Sequence, residues 1–302
     1  MIDRLADYWS SKKPKRTKLW QWLSVLLTFI MVVYLVYAFT QGGLRLNQIN
    51  WKAYAGTVIA VLGICLFSLV IQFTIWSRII SFHRKVNWQD ISIYARTIMM
   101  RSLPGGAWHW VGRISMYSGA TKVPTRVVVV GNFLEWALST LSGAAIFFVT
   151  LPIPNLGYIL AVLTFSIILG VAISWQPATR KWTIRVAEGI LWMTLYGMLW
   201  LSATEILYLI VQAVVGPDSL TCWEALRAST LTGTLGMLIS MLPSSLGVRE
   251  ISMVWLLQAK LTPAVTLLIA LMLRIIYTLG DAVWGIIGWL LSLLILRKHQ
   301  PT

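Results

Sequence analysis

Six apolar runs, each long enough to cross a bilayer's hydrocarbon core, constrain this chain more than any other feature. They cover Leu19–Phe39, Tyr54–Trp76, Val127–Thr150, Leu156–Trp175, Ile190–Val215 and Pro263–Leu296. A core of about 30 Å takes about 20 residues of helix, and inside it every backbone polar group must be satisfied within the segment. Helices are therefore what these runs form. Composition excludes the soluble alternative: the chain is 58% hydrophobic and 12% charged, with a mean hydropathy of +0.75, against about 25% charge in soluble domains.

The net charge of +15 would suggest nucleic acid in a soluble protein, but here the basic residues sit in short segments between the apolar runs. Of the 25 Lys and Arg residues, 19 fall in segments 1–18, 77–126, 176–188 and 297–302, and 4 fall in the intervening connections. By the positive-inside rule this predicts a multi-pass protein of the cell membrane with both termini cytoplasmic, and no nucleic-acid partner. No signal-peptide cleavage site follows the first run. Ile2, Leu5, Ala6 and Trp9 recur at helical spacing, suited to an interfacial helix. Residues 1–18 thus form a basic cytoplasmic segment, 19–296 one transmembrane domain and 297–302 a cytoplasmic tail. Cys65, Cys222 and three scattered histidines offer neither a disulfide framework nor a metal site, and no cofactor is expected. Trp20, Trp22, Trp51, Trp76, Trp175, Trp182 and Trp223 lie at run ends, where interfacial anchors are common.

Two stretches depart from simple spans. Ile91–Ser118 is interrupted by Leu103-Pro104-Gly105-Gly106, and Leu220–Gln258 by Leu242-Pro243-Ser244-Ser245-Leu246-Gly247. Each predicts helix, break, helix. After the breaks come Gly112-Arg113-Ile114-Ser115-Met116 and Gly247-Val248-Arg249-Glu250-Ile251-Ser252-Met253, a likeness that suggests an internal repeat. Two spans precede the first stretch and three more precede the second, so the two would enter from opposite faces. The expected architecture is an all-α polytopic membrane protein with about six full spans plus two inverted broken or re-entrant hairpins; seven or eight spans is the alternative count.

Broken helices persist in a membrane only where protein or water surrounds them. The breaks therefore predict an interior site. Arg101, Gly105, Gly106, His109 and Arg113 around the first break, and Ser244, Ser245, Gly247 and Arg249 around the second, with Arg274, are the expected substrate-binding residues. Half-helix amides and guanidinium groups together suit a phosphate. The competing reading is that the arginines pair with Glu135, Glu250 or carbonyls and hold the hairpins in place. Glu135, eight residues into its run, Glu205, Glu250 and Asp281 are candidates for charge balance or proton coupling. Gly131, Ser139 and Gly143 share the Glu135 face and suit close helix packing. Arg274 and Asp281 lie two turns apart on one helix, too far for a direct pair, so each should find a partner elsewhere, with Glu250 a candidate for Arg274.

At its two breaks the sequence resembles the flippase-like family, the transmembrane region of lysylphosphatidylglycerol synthases and its stand-alone relatives. The likeness rests on Leu103-Pro104-Gly105-Gly106 with Arg113, on Leu242-Pro243 leading to Leu246-Gly247-Val248-Arg249-Glu250, and on Arg274 in a late span. Ser244 and Ser245 stand where the family usually has glycine. The resemblance implies a lipid flippase or transporter, not an enzyme, that moves a phosphate-containing lipid between leaflets: a phospholipid, an aminoacylated phospholipid or a polyprenyl-phosphate-linked lipid. Its partners would be membrane lipids with anionic phosphate headgroups, with homo-oligomerisation or a lipid-modifying enzyme as further options. The alternatives are a membrane-embedded transferase on a lipid-linked phosphate, with Glu135 or Glu250 as base, and a non-catalytic subunit of a lipid-modifying complex.

Overall fold

The computed structural model describes residues 51–102, 108–121, 123–177, 179–240 and 248–298. Within these residues the chain is all helix and turn, without strands. Five helices are long and apolar enough to cross a membrane: α1 (Trp51–Ser81), α4 (Thr125–Val149), α5 (Pro154–Ser174), α6 (Trp182–Val215) and α9 (Pro263–Lys298). They coincide with five of the six apolar runs. The sixth, Leu19–Phe39, and the amino-terminal segment lie outside the described residues.

Both interrupted stretches form the expected pairs of helices. In the first, α2 (Trp88–Ile98) passes into a 3-10 turn at Met99–Ser102, and α3 (Trp108–Ala120) follows; in the second, α7 (Cys222–Ser240) is followed by α8 (Val248–Leu257). The residues between, 103–107 and 241–247, lie outside the described residues. Each first arm starts at a capping box, which satisfies amides that a helix start leaves open. Asn87 Oδ1 accepts from the Asp90 amide at 3.2 Å while Asp90 Oδ2 accepts from the Asn87 amide at 2.8 Å. Thr221 and Glu224 exchange the same two bonds at 3.2 and 2.9 Å. Arg84 clamps the first box by pairing with the fully buried Asp90, and Lys260 reaches Glu224 in the second at 3.4 Å.

The packing repeats as well. If α1, α2, α3 and α4 are matched in order to α6, α7, α8 and α9, most contacts in one set have a counterpart in the other, the exception being α6, which packs broadly on α7 where α1 barely touches α2. Thus α3 packs on α4 as α8 packs on α9; α2 packs on α9 as α7 packs on α4; and α1 and α6 pack on each other. Helix α5 is the connector, against α4 and α6. The buried apolar residues divide accordingly. One cluster joins α1 and α6 to the first pair through Trp76, Tyr94, Tyr117 and Trp192. The other joins them to the second pair through Ile206, Ala225, Met253 and Ile269.

Small residues set the closest approaches, as they do where lipid supplies no hydrophobic drive between helices. A Cβ on Gly288 would meet Ala95 Cβ at 2.5 Å and backbone atoms of Arg96 and Ser92 at 3.1 Å, and the Gly288 carbonyl accepts from Ser92 Oγ at 2.8 Å. Helix α2 is thereby seated on α9. On the α4 side, Gly143 and Gly233 make room for Trp200, whose Nε1 donates to Ser142 Oγ and the Ser139 carbonyl at 3.0 and 3.1 Å. One expectation fails here. Trp76 is fully buried and donates to Tyr117 Oη at 2.9 Å, so it is a core residue and no interfacial anchor. The helix runs one turn beyond it, to Ser81, which places the indole against α3.

Candidate functional site

The arginines near the two breaks have very different surroundings. Arg113, on α3, is 1% exposed. Its guanidinium carbon lies 4.2 Å from the Trp76 ring and 4.4 Å from the Tyr94 ring. Nη1 donates to Glu135 Oε2 at 2.6 Å and to Asn132 Oδ1 at 2.8 Å. Tyr94 Oη donates to the other Glu135 oxygen at 3.0 Å, and Tyr196 Oη to the Glu135 carbonyl at 3.3 Å. A charge buried this deeply is tolerable because it is paired, hydrogen-bonded and faced by π-systems. The knot ties α3 to α4, α2 and α6. The Glu135 face does look into the bundle, with Gly131 against Trp76 and Ile79.

Arg101, at the end of the first arm, makes a two-bond fork to Asp281 on α9, Nη2 to Oδ1 at 2.7 Å and Nε to Oδ2 at 3.2 Å. Its Nη1 donates to Gln72 Oε1 on α1 at 3.1 Å. Asp281 is 3% exposed, so this pair fastens the first break to α9. Arg274 and Asp281 do take separate partners: Arg274 Nη1 stands 3.8 Å from Glu250 Oε1, with an Arg274 side chain that is 42% exposed. This pair is the loosest of the three.

Arg249 is different again. Its guanidinium carbon lies 5.2 Å from the Tyr277 ring on α9, and among the described residues it meets no carboxylate. Tyr277 lies within electrostatic reach of Arg249, Cys65 and Arg101 together. Arg101, at the end of α2's 3-10 turn, and Arg249, near the start of α8, thus meet α9 one turn apart, at Asp281 and Tyr277. Charge can be counted there. Arg113 and Arg101 each have a carboxylate, whereas among the described residues Arg249 and Arg274 have Glu250 between them, one positive charge more than negative at the α8–α9 seam.

The remaining predicted residues are placed as follows. His109 is half-buried on α3, edge-on to Trp110 at 6.0 Å. Gly105, Gly106, Ser244, Ser245 and Gly247 lie outside the described residues. Glu205 is exposed and borders an open, mainly apolar groove of about 490 Å³ between α1, α6 and α7, beside Ile64, Phe67, Leu201 and Trp223. It accepts no hydrogen bond from a Trp or Tyr among the described residues. No group of three His, Cys, Asp or Glu that could hold a metal occurs among them either. Residues that the sequence left unremarked are Asn132, Tyr94 and Gln72. Asn132 and Gln72 carried a signal, being polar side chains inside apolar runs.

Among the described residues, the fold is that of an all-α protein with several helices long and apolar enough for a multi-pass membrane protein. Comparison with family models, with curated protein sequences and with solved structures finds no match to the chain.

Proposed function

We propose that this protein moves a lipid with an anionic phosphate headgroup between leaflets of the cell membrane. In this reading the two helix pairs are inverted re-entrant hairpins, both termini are cytoplasmic, and the headgroup passes between the breaks while the tails stay in the bilayer. The observation that carries it is the Arg249 guanidinium, one residue into α8, which faces the Tyr277 ring and, among the described residues, meets no carboxylate. Phosphate can meet there the open amides of a helix start, the Arg249 fork and the loosely held Arg274. In this state Arg113 and Arg101, tied to Glu135 and Asp281, hold the first hairpin in position. The repeated packing of both hairpins on α4 and α9 supports this reading, because transport needs an interior that two similar units can open alternately.

The test is lipid exchange in reconstituted vesicles, with fluorescent phosphatidylglycerol, phosphatidylethanolamine or a polyprenyl phosphate as probe. Wild type is expected to exchange at least one of them, and Arg249→Gln to lower the rate at least tenfold. Equal rates in wild type, Arg249→Gln and protein-free vesicles would overturn the proposal. Product formation from a donor and a lipid phosphate would favour the transferase reading instead.

A further inference from the structure

The tripeptide Ile114-Ser115-Met116 on α3 recurs as Ile251-Ser252-Met253 on α8. The residue before it is Arg113 in one helix and Glu250 in the other. Their partners also correspond: Glu135 is the eleventh residue of α4 and Arg274 the twelfth of α9. Both pairs join the second arm of a hairpin to the helix that follows it, so they occupy one position in two repeated units, with the charges exchanged. They are not equally closed. Arg113–Glu135 measures 2.6 Å with side chains 1% and 18% exposed; Glu250–Arg274 measures 3.8 Å with side chains 14% and 42% exposed.

We infer that Arg113–Glu135 and Glu250–Arg274 are equivalent latches of opposite polarity, one shut and one ajar in this state, whose opening alternates. The mechanical link is visible in the packing. Helix α4, which carries Glu135, also holds the second hairpin, through Trp136 Nε1 donating to the Met237 carbonyl of α7 at 2.9 Å. Helix α9, which carries Arg274, also holds the first, through Asp281 to Arg101 and the Gly288 carbonyl to Ser92. Swinging α4 off α3 therefore carries α7 with it, and swinging α9 off α8 carries α2. Cores of this density switch between discrete arrangements more readily than they deform. Opposite polarity has its own consequence: each latch releases an arginine when it opens, from the hairpin in the first unit and from the long helix in the second. Either one is then available to the phosphate of the transport reading, on which this clause alone rests.

The experiment reads distance and needs no transport. In a Cys222→Ser background, nitroxides are placed at the exposed positions Val111 and Phe133 to report the α3–α4 seam, and at Ile251 and Ile275 to report the α8–α9 seam. Dipolar broadening is recorded in vesicles. Wild type should show one close population at the first seam and two populations at the second. Glu250→Lys should raise the separated fraction at the second seam at least twofold, and the exchange Glu250→Arg with Arg274→Glu should restore the wild-type distribution. Glu135→Gln, or the milder Asn132→Ala if that variant does not fold, should open the first seam and lower the separated fraction at the second at least twofold. Failure of the charge exchange to restore the second seam, or an open first seam with the second unchanged, overturns the inference. Coupled seams in a protein that exchanges no lipid would instead sink the transport reading alone.

Discussion

Removing the Glu135 carboxylate should be among the most destabilising single changes in the described part of the chain. With Arg113 1% exposed and boxed between Trp76 and Tyr94, Glu135→Leu leaves its guanidinium Asn132 Oδ1 as the remaining hydrogen-bond acceptor. It reaches water only if α3 parts from α4, which gives up the packing of that seam. Breaking a buried pair in this way costs about 3–5 kcal/mol, and Tyr94 Oη loses its acceptor, which adds about 1–3 kcal/mol. A loss of about 4 kcal/mol or more is expected. Replacing both charges, Arg113→Met with Glu135→Leu, removes the stranded charge and leaves mainly the orphaned Tyr94 and Asn132 groups, so about half of that loss should return. Unfolding in mixed micelles with rising dodecyl sulfate, followed by tryptophan fluorescence, measures both variants and Arg113→Met. The cycle should give a coupling of at least about 2 kcal/mol. A single-variant loss under about 1 kcal/mol, or a double variant as unstable as the two singles added, would show that Arg113 finds water or another partner and refute the argument.

Glu205→Leu, in contrast, removes an exposed carboxylate at the groove, and stability in the same assay should shift by less than about 0.5 kcal/mol. Gly288→Ala should cost about 1–3 kcal/mol, because the added methyl meets helix backbone and Ala95; Gly285→Ala should cost less, since it meets the Met99 side chain, which can turn aside, and no backbone. At the start of α7, the Thr221 amide, helped by the Thr221 hydroxyl and Lys260, holds the Glu224 carboxyl below its ordinary range. Its contribution is present at neutral pH, above the unfolded group's range, and is lost as pH falls through the lowered folded value. Wild type and Glu224→Gln should therefore differ in stability at neutral pH and converge in acid. Thr221→Ala should cost about 1 kcal/mol at neutral pH by opening the cap.

The long apolar helices were legible in the sequence because their causes are local. A run of apolar residues long enough for the bilayer must become a helix, whatever its neighbours, and α1, α4, α5, α6 and α9 follow the runs closely. The helices of the two interrupted stretches are described to Ser102 and Ser240 and again from Trp108 and Val248; Pro104 and Pro243, on which the predicted breaks rest, lie outside the described residues. The separate partners of Arg274 and Asp281 followed equally from rise per residue along one helix.

Partner choice was decided by the tertiary structure alone. Arg113 and Arg249 look alike in sequence, each just after a Pro-containing break, yet one is locked to Glu135 and the other faces Tyr277. The difference depends on how each helix is rotated against its neighbours, across separations as large as the 180 residues between Arg101 and Asp281. Trp76 was misplaced for the same reason: its position at a run end is a sequence fact, while its burial against Tyr117 depends on where α3 packs. That Arg249, unlike Arg101 and Arg113, meets no carboxylate among the described residues emerges only once the helices are packed in three dimensions.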